Sequence, residues 1–391
     1  YMWGGQYKFT VLTGVFGQGE GGPISLPEHP DCVTFARALL DAGADPNDSQ
    51  AAYNRLFEPD DTCLELLIEY GLSAKDKNNW FEQDANGFLP NPEETMHYQL
   101  IMAIHWGNFA RARLLIDNGV DIAKPDDTYE TMTKGRAPYE VALLMGETRT
   151  AEYLLANGTT PAELPQIDRF HVACMAGDLQ TARQMLSDAP NLIDDIDVRR
   201  GEMLNGAAQT GNWPALETMM KLGFDVSKPG ERTPLHQAAL QGRLDLVKQL
   251  VAAGADTRLR DPDFHAPPLG FALHAKKHDV VAFLETVEMD IFTAAARGIA
   301  DQLQARLQED PARLNQRFSD VRTGTHNQFG TDWFTPLVSA ATNNRVEAVR
   351  WLLEQGADPN ISDGGDKTLL SFARDHADDD IVAMIEGALA R

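Results

Sequence analysis

The stretch that decides the fold runs Thr233-Pro-Leu-His-Gln-Ala-Ala-Leu-Gln-Gly242, then Arg-Leu-Asp-Leu-Val-Lys-Gln-Leu-Val-Ala-Ala-Gly254-Ala-Asp256. It recurs as Thr335-Pro-Leu-Val-Ser-Ala-Ala-Thr-Asn-Asn344, then Arg-Val-Glu-Ala-Val-Arg-Trp-Leu-Leu-Glu-Gln-Gly356-Ala-Asp358. Thr233 is a favourable N-cap, and Pro234 stands at the first helical position, where its missing N–H costs nothing. Leu235, Ala238 and Ala239 give a short helix a small apolar face. Gly242 breaks that helix. Leu246, Val247, Leu250 and Val251 then form the core-facing stripe of a second helix. Gly254 supplies the left-handed cap that ends it. One such unit cannot bury both of its faces, so it requires neighbours.

These residues resemble the ankyrin repeat, with its Thr-Pro-Leu-His opening and Gly-Ala-Asp ending. The resemblance implies an all-α solenoid of about eleven helix-turn-helix units in a single continuous right-handed stack over residues 1–391. Units start near 10, 50, 98, 137, 168, 202, 233, 267, 289, 335 and 368. Uneven spacing places long insertions at 17–30, 78–97, 124–136 and 316–334. Most fall at the hairpin between units; the Gly/Pro-rich run at 17–30 falls between the two helices of the first unit.

Composition narrows the function. The 391 residues carry 58 acidic against 34 basic side chains, a net charge of -24. Such a chain repels phosphate backbones and anionic lipid, so nucleic acid and membranes are poor partners. No apolar run approaches membrane-spanning length and no signal-peptide pattern is evident, so a cytoplasmic location is expected. Cys32, Cys63 and Cys174 are too few and too scattered for a disulfide framework or a four-thiolate zinc site. Arginine exceeds lysine 23 to 11, a bias of GC-rich bacterial genomes.

Catalytic patterns fail one by one. Gly17-Gln-Gly-Glu-Gly-Gly22 matches G-x-G-x-x-G, but Pro23-Ile-Ser-Leu-Pro27 cannot open the helix a dinucleotide site needs. His274 and His278 have metal-ligand spacing, yet the register puts a turn between them, and two lysines intervene. In the ankyrin pattern His236 bridges backbone groups of adjacent units, and His171 reads likewise. Cys174 falls at a buried small-residue position and reads as an inert thiol. No catalytic, cofactor-binding or metal-binding residue is assigned, and no cofactor is implied.

The resemblance instead implies a groove lined by the residues before each turn glycine. Here these include His105, Trp106, Leu144, Met145, Met175 and Leu240, whose apolar character at exposed positions marks an interaction site. Trp80 and Phe81 in one insertion and Phe329 and Trp333 in another either join that site or fold over it. The expected function is a non-enzymatic scaffold holding a protein partner, one with a basic patch to match the acidic chain. Two alternatives stand beside it: an immunity-type inhibitor of a basic toxin or effector, and an enzyme whose pocket is built by the insertions around His97, His326, Asp332 and Glu82. Oligomeric state is left open.

Overall fold

The computed structural model describes residues 9–19, 26–58, 60–77, 94–127, 133–161, 163–196, 199–227, 232–321, 331–365 and 367–391. These form two compact units, Tyr1–Phe224 and Asp225–Arg391. The regular structure among the described residues is helical, apart from two isolated bridges, Lys77 with Glu94 and Ser362 with Thr368.

Six helix pairs build the first unit: Val11–Phe16 with Cys32–Asp41, Ser49–Asn54 with Thr62–Glu69, Thr95–His105 with Phe109–Asp117, Pro138–Leu144 with Thr148–Ala156, Gln166–Met175 with Leu179–Asp188, and Arg200–Thr210 with Trp213–Lys221. Five build the second: Pro234–Gln241 with Leu244–Ala252, Pro268–His274 with His278–Leu284, Ile291–Arg297 with Ala300–Glu309, Pro336–Thr342 with Val346–Glu354, and Leu369–His376 with Asp379–Leu389. The small apolar face of each first helix is buried, as Leu235, Ala238 and Ala239 show at 0% exposure. The opposing stripe of Leu246, Val247 and Leu250 closes the same core.

Insertions leave the solenoid on paired stems. Asp126 N–H donates to the Arg136 carbonyl at 2.7 Å, and Phe318 N–H donates to the Phe334 carbonyl at 2.8 Å. Thr95 N–H donates to the Asp76 carbonyl at 3.3 Å. Aromatic packing holds the described part of the last insertion down. Phe318 lies edge-on to Phe292 at 5.4 Å, and Trp333 packs on Phe334 at 5.1 Å and on Phe372 at 5.8 Å.

His236 acts as the expected bridge. Its Nδ1 accepts from Thr233 N–H at 3.1 Å, which leaves the proton on Nε2. Nε2 then donates to the carbonyls of Leu259 at 3.1 Å and Ala266 at 3.2 Å in the following hairpin. His97 stands at the same third position of its helix and donates to the Lys124 carbonyl at 3.0 Å. His171 corrects the expectation made for it. It shares His236's distance from the turn glycine, but its helix begins at Gln166 behind Pro165, so the ring sits mid-helix. Among the described residues neither ring nitrogen makes a hydrogen bond of good geometry, and the Leu144 backbone exerts only a weak opposing pull on the ring. The fully buried carboxylate nearby is Asp168, held by Arg136 and by Arg199 at 2.6 Å.

Candidate partner-binding site

In the first unit the turns do not stand open as expected. Leu144 and Met175 are fully buried and Met145 is 4% exposed. Among the described residues the cover comes from the sixth helix pair. Thr210, Asn212 and Pro214 pass in succession against the turns at Gly107, Gly146 and Gly177. Asn212 Nδ2 donates to the Met175 carbonyl at 2.8 Å. Gly146 has φ +75°, and a Cβ there would come within 3.0 Å of that carbonyl, so the approach requires glycine. Gly206 similarly leaves room for Met145, whose Cε would lie 3.1 Å from an added Cβ. These three side chains belong to the core and are withdrawn as contact residues.

Other expected residues are also committed. His105 Nε2 donates to Thr133 Oγ1 at 2.8 Å, because the threonine hydroxyl itself donates to Asp126 at 2.7 Å. Burial pushes the His105 pKa below its ordinary value, against the opposing pull of Asp126. Trp333 is 5% exposed and serves as an anchor of its insertion, which corrects its placement on the surface. Trp80, Phe81, Phe329, Glu82 and His326 lie outside the described residues. His274 ends one helix and His278 begins the next. Among the described residues no group of three His, Cys, Asp or Glu side chains converges on a metal position.

Of the apolar turn residues expected in the first unit, Trp106 is the one that stays accessible, and it joins an aromatic cluster. Trp106 is half-buried and packs at 5.2 Å on Phe57, which is 37% exposed. Tyr53 continues the cluster, edge-on to Phe57 at 5.4 Å and stacked on Tyr98 at 6.4 Å. Phe57 closes the short turn Arg55–Phe57, and that turn is gripped from below. Arg111, 2% exposed, donates to the carbonyls of Arg55 at 3.0 Å and Glu58 at 2.9 Å and pairs with Asp61. Sequence reasoning missed Phe57, which stands outside the positions before each turn glycine.

Beside Trp106 sits Glu147. Its Oε1 would lie 2.9 Å from a Cβ on Gly107, the next residue. Burial holds this carboxyl above the ordinary range, with no cation or donor among the described residues offsetting the shift. A half-buried carboxylate next to exposed aromatic rings is a setting that suits a cationic side chain.

Residues 170–261 match the protein-family description "Ankyrin repeats (3 copies)" and residues 314–373 match "Ankyrin repeats (many copies)". Together with the eleven helix pairs, this makes the chain an ankyrin-repeat protein. Similar curated proteins include Palmitoyltransferase AKR1 of Lachancea kluyveri, 25% identical over 66% of this chain and 36% of its own length. Ankyrin repeat protein nuc-2 of Neurospora crassa is 29% identical over 46% of this chain and 20% of its length. Notch-regulated ankyrin repeat-containing protein B of Danio rerio is 40% identical over 18% of this chain and 65% of its length. This chain therefore spans only 36% and 20% of the length of the first two relatives. Among solved structures, the Bd0816 predatory endopeptidase of Bdellovibrio bacteriovorus in complex with immunity protein Bd3460 matches at 22% identity. Its TM-score is 0.31, over 47% of this chain and 96% of that one. No helix of the described residues is long and apolar enough to cross a membrane.

Proposed function

We propose that the chain is a non-catalytic scaffold that binds a protein partner through the face formed by its first helices and turns. The observation that carries this reading is the Phe57–Trp106 pair with Glu147 beside it. Aromatic side chains on a rigid support are favoured interface anchors. The turn under Phe57 is held by a buried arginine, so the anchor loses little freedom on binding. Glu147 gives the partner a sign: a lysine or arginine would offset its desolvation. The partner is thus a protein with a basic contact segment, and association weakens as salt rises.

The test compares capture of one defined host protein by the wild-type chain and by Trp106→Ser and Glu147→Gln chains. Capture reduced about tenfold or more by Trp106→Ser, the scale of a hot-spot residue, supports the reading. Equal capture by all three, with unchanged thermal unfolding, moves the site elsewhere.

A further inference from the structure

The aromatic cluster at Trp106 has a carboxylate beside it and, among the described residues, no cation to go with it. Glu147 Oε1 and the Thr210 methyl group both stand against the turn at Gly107. The basic side chains of the surrounding elements are engaged elsewhere. Arg111 pairs with Asp61, and His105 donates to Thr133 at 2.8 Å. Arg149, on the helix that follows Glu147, lies over the Phe109 ring at 3.9 Å. Arg55, behind Phe57, holds Glu28 at 2.9 Å and Asp60 at 3.4 Å. The passing segment 210–214 of the sixth pair brings no charged side chain. No charged group among the described residues, Lys134 of the next hairpin included, pulls on the Glu147 carboxyl, and burial alone acts on it.

Elsewhere the chain joins an aromatic ring and a carboxylate through an arginine. Arg260 lies 4.8 Å from the Phe318 ring centre and bonds Asp290 at 2.6 Å. Arg232 lies 5.7 Å from the Phe264 ring centre and bonds Asp263 at 2.8 Å. Arg37 lies 5.6 Å from the Tyr70 ring centre and bonds Glu69 at 2.6 Å. A guanidinium suits this position because it is planar and weakly hydrated: it sheds water at low cost, stacks on a ring, and still donates in its own plane. An ammonium is compact and strongly hydrated, so a half-buried site costs it more. Phe57, Trp106 and Glu147 supply the rings and the carboxylate of the same arrangement without its arginine.

We propose that one arginine of the protein partner completes this set, its guanidinium stacked against Trp106 and donating to Glu147. Tryptophan is the ring that draws a cation most strongly, and the guanidinium fork matches a carboxylate. This rests on the reading of the chain as a binding scaffold and narrows its basic contact from any cation to an arginine.

The probes are the N-acetyl amides of arginine, lysine and citrulline, titrated into the full chain at equal ionic strength. The readout is the indole N–H resonances of its six tryptophans, with Trp106→Phe identifying the signal of Trp106. The arginine amide shifts that signal and leaves the other indoles in place. The lysine amide binds there about threefold or more weakly. Citrulline, which keeps the shape and lacks the charge, binds about fivefold or more weakly. Glu147→Gln weakens the arginine amide about fivefold. The lysine and citrulline arms leave the protein unaltered, so they stand even where a variant folds poorly. Lysine or citrulline matching arginine, an arginine response indifferent to Glu147→Gln, or a Trp106 signal that arginine does not move overturns the proposal. An unmoved Trp106 signal alongside host-protein capture that still depends on Trp106 would sink this inference and spare the scaffold reading. An arginine-responsive Trp106 alongside capture indifferent to Trp106→Ser would do the reverse.

Discussion

Arg111 Nη2 donates to the backbone carbonyl of Arg55 at 3.0 Å, and both arginines are buried. The contact joins the second helix of the third pair to the end of the first helix of the second pair. Arg55 in turn holds Glu28 at 2.9 Å. One guanidinium fork thus fixes the turn that carries Phe57, and the exposed aromatic is presented from a rigid base.

Arg111→Met is therefore expected to cost about 3–5 kcal/mol, since it leaves Asp61 and the turn carbonyls without a donor. Urea unfolding measures the loss. Amide exchange in residues 55–58 should quicken more than in Pro138–Leu144. A cost under about 1 kcal/mol, the range of a surface pair, would contradict the role given to Arg111.

Two buried histidines predict different costs for one substitution. Burial pushes both His171 and His236 down to about 4. In the unfolded chain each titrates near 6.5. The folded state is then at full stability above pH 6.5, and that contribution is lost as pH falls toward 4, by roughly 2–4 kcal/mol per ring. His171→Leu removes a ring with no hydrogen bond of good geometry, so it should flatten the pH dependence of the first unit at little cost at pH 7. His236→Leu discards the bonds to Thr233, Leu259 and Ala266 and should cost about 2 kcal/mol or more at pH 7. Melting curves of both variants at pH 7 and pH 5 check this.

Met175→Ala should cost about 2–5 kcal/mol, as a large-to-small change in a closed core. Trp106→Ala should cost about 1 kcal/mol, the worth of its packing on Phe57. Chemical denaturation ranks them. The reverse order would mean that Met175 faces solvent and Trp106 does not.

These methionines also show where the sequence stops being legible. The eleven helix pairs could be read because each brings its own caps, stripe and turn. The fate of Met145 and Met175 could not, because it depends on another pair's approach. That approach is permitted by two missing Cβ atoms, at Gly146 and Gly206, and fixed by Asn212. A glycine inside the helix Arg200–Thr210 was the available signal. His171 misled for a related reason: Pro165 starts its helix early and shifts the ring out of the bridging position. Phe57 went unseen because its exposure is set by Arg111, more than fifty residues away.

Burial pushes the thiols of Cys63 and Cys174 up to about 12 and that of Cys32 to about 11. All three should resist thiol reagents in the native chain at pH 8 and react together on unfolding. A disulfide-exchange titration counts them. One fast-reacting thiol in the native protein would show a cysteine more open than this fold allows.

The most direct test of the scaffold account uses a photo-crosslinking phenylalanine at two positions of equal exposure. Phe57 on the first-helix face and Leu155 on a second helix are each 37% exposed. The account predicts a discrete protein crosslink in host lysate from position 57, diminished by Glu147→Gln, and none of that mass from position 155. The same adduct from both positions, or from 155 alone, would contradict it.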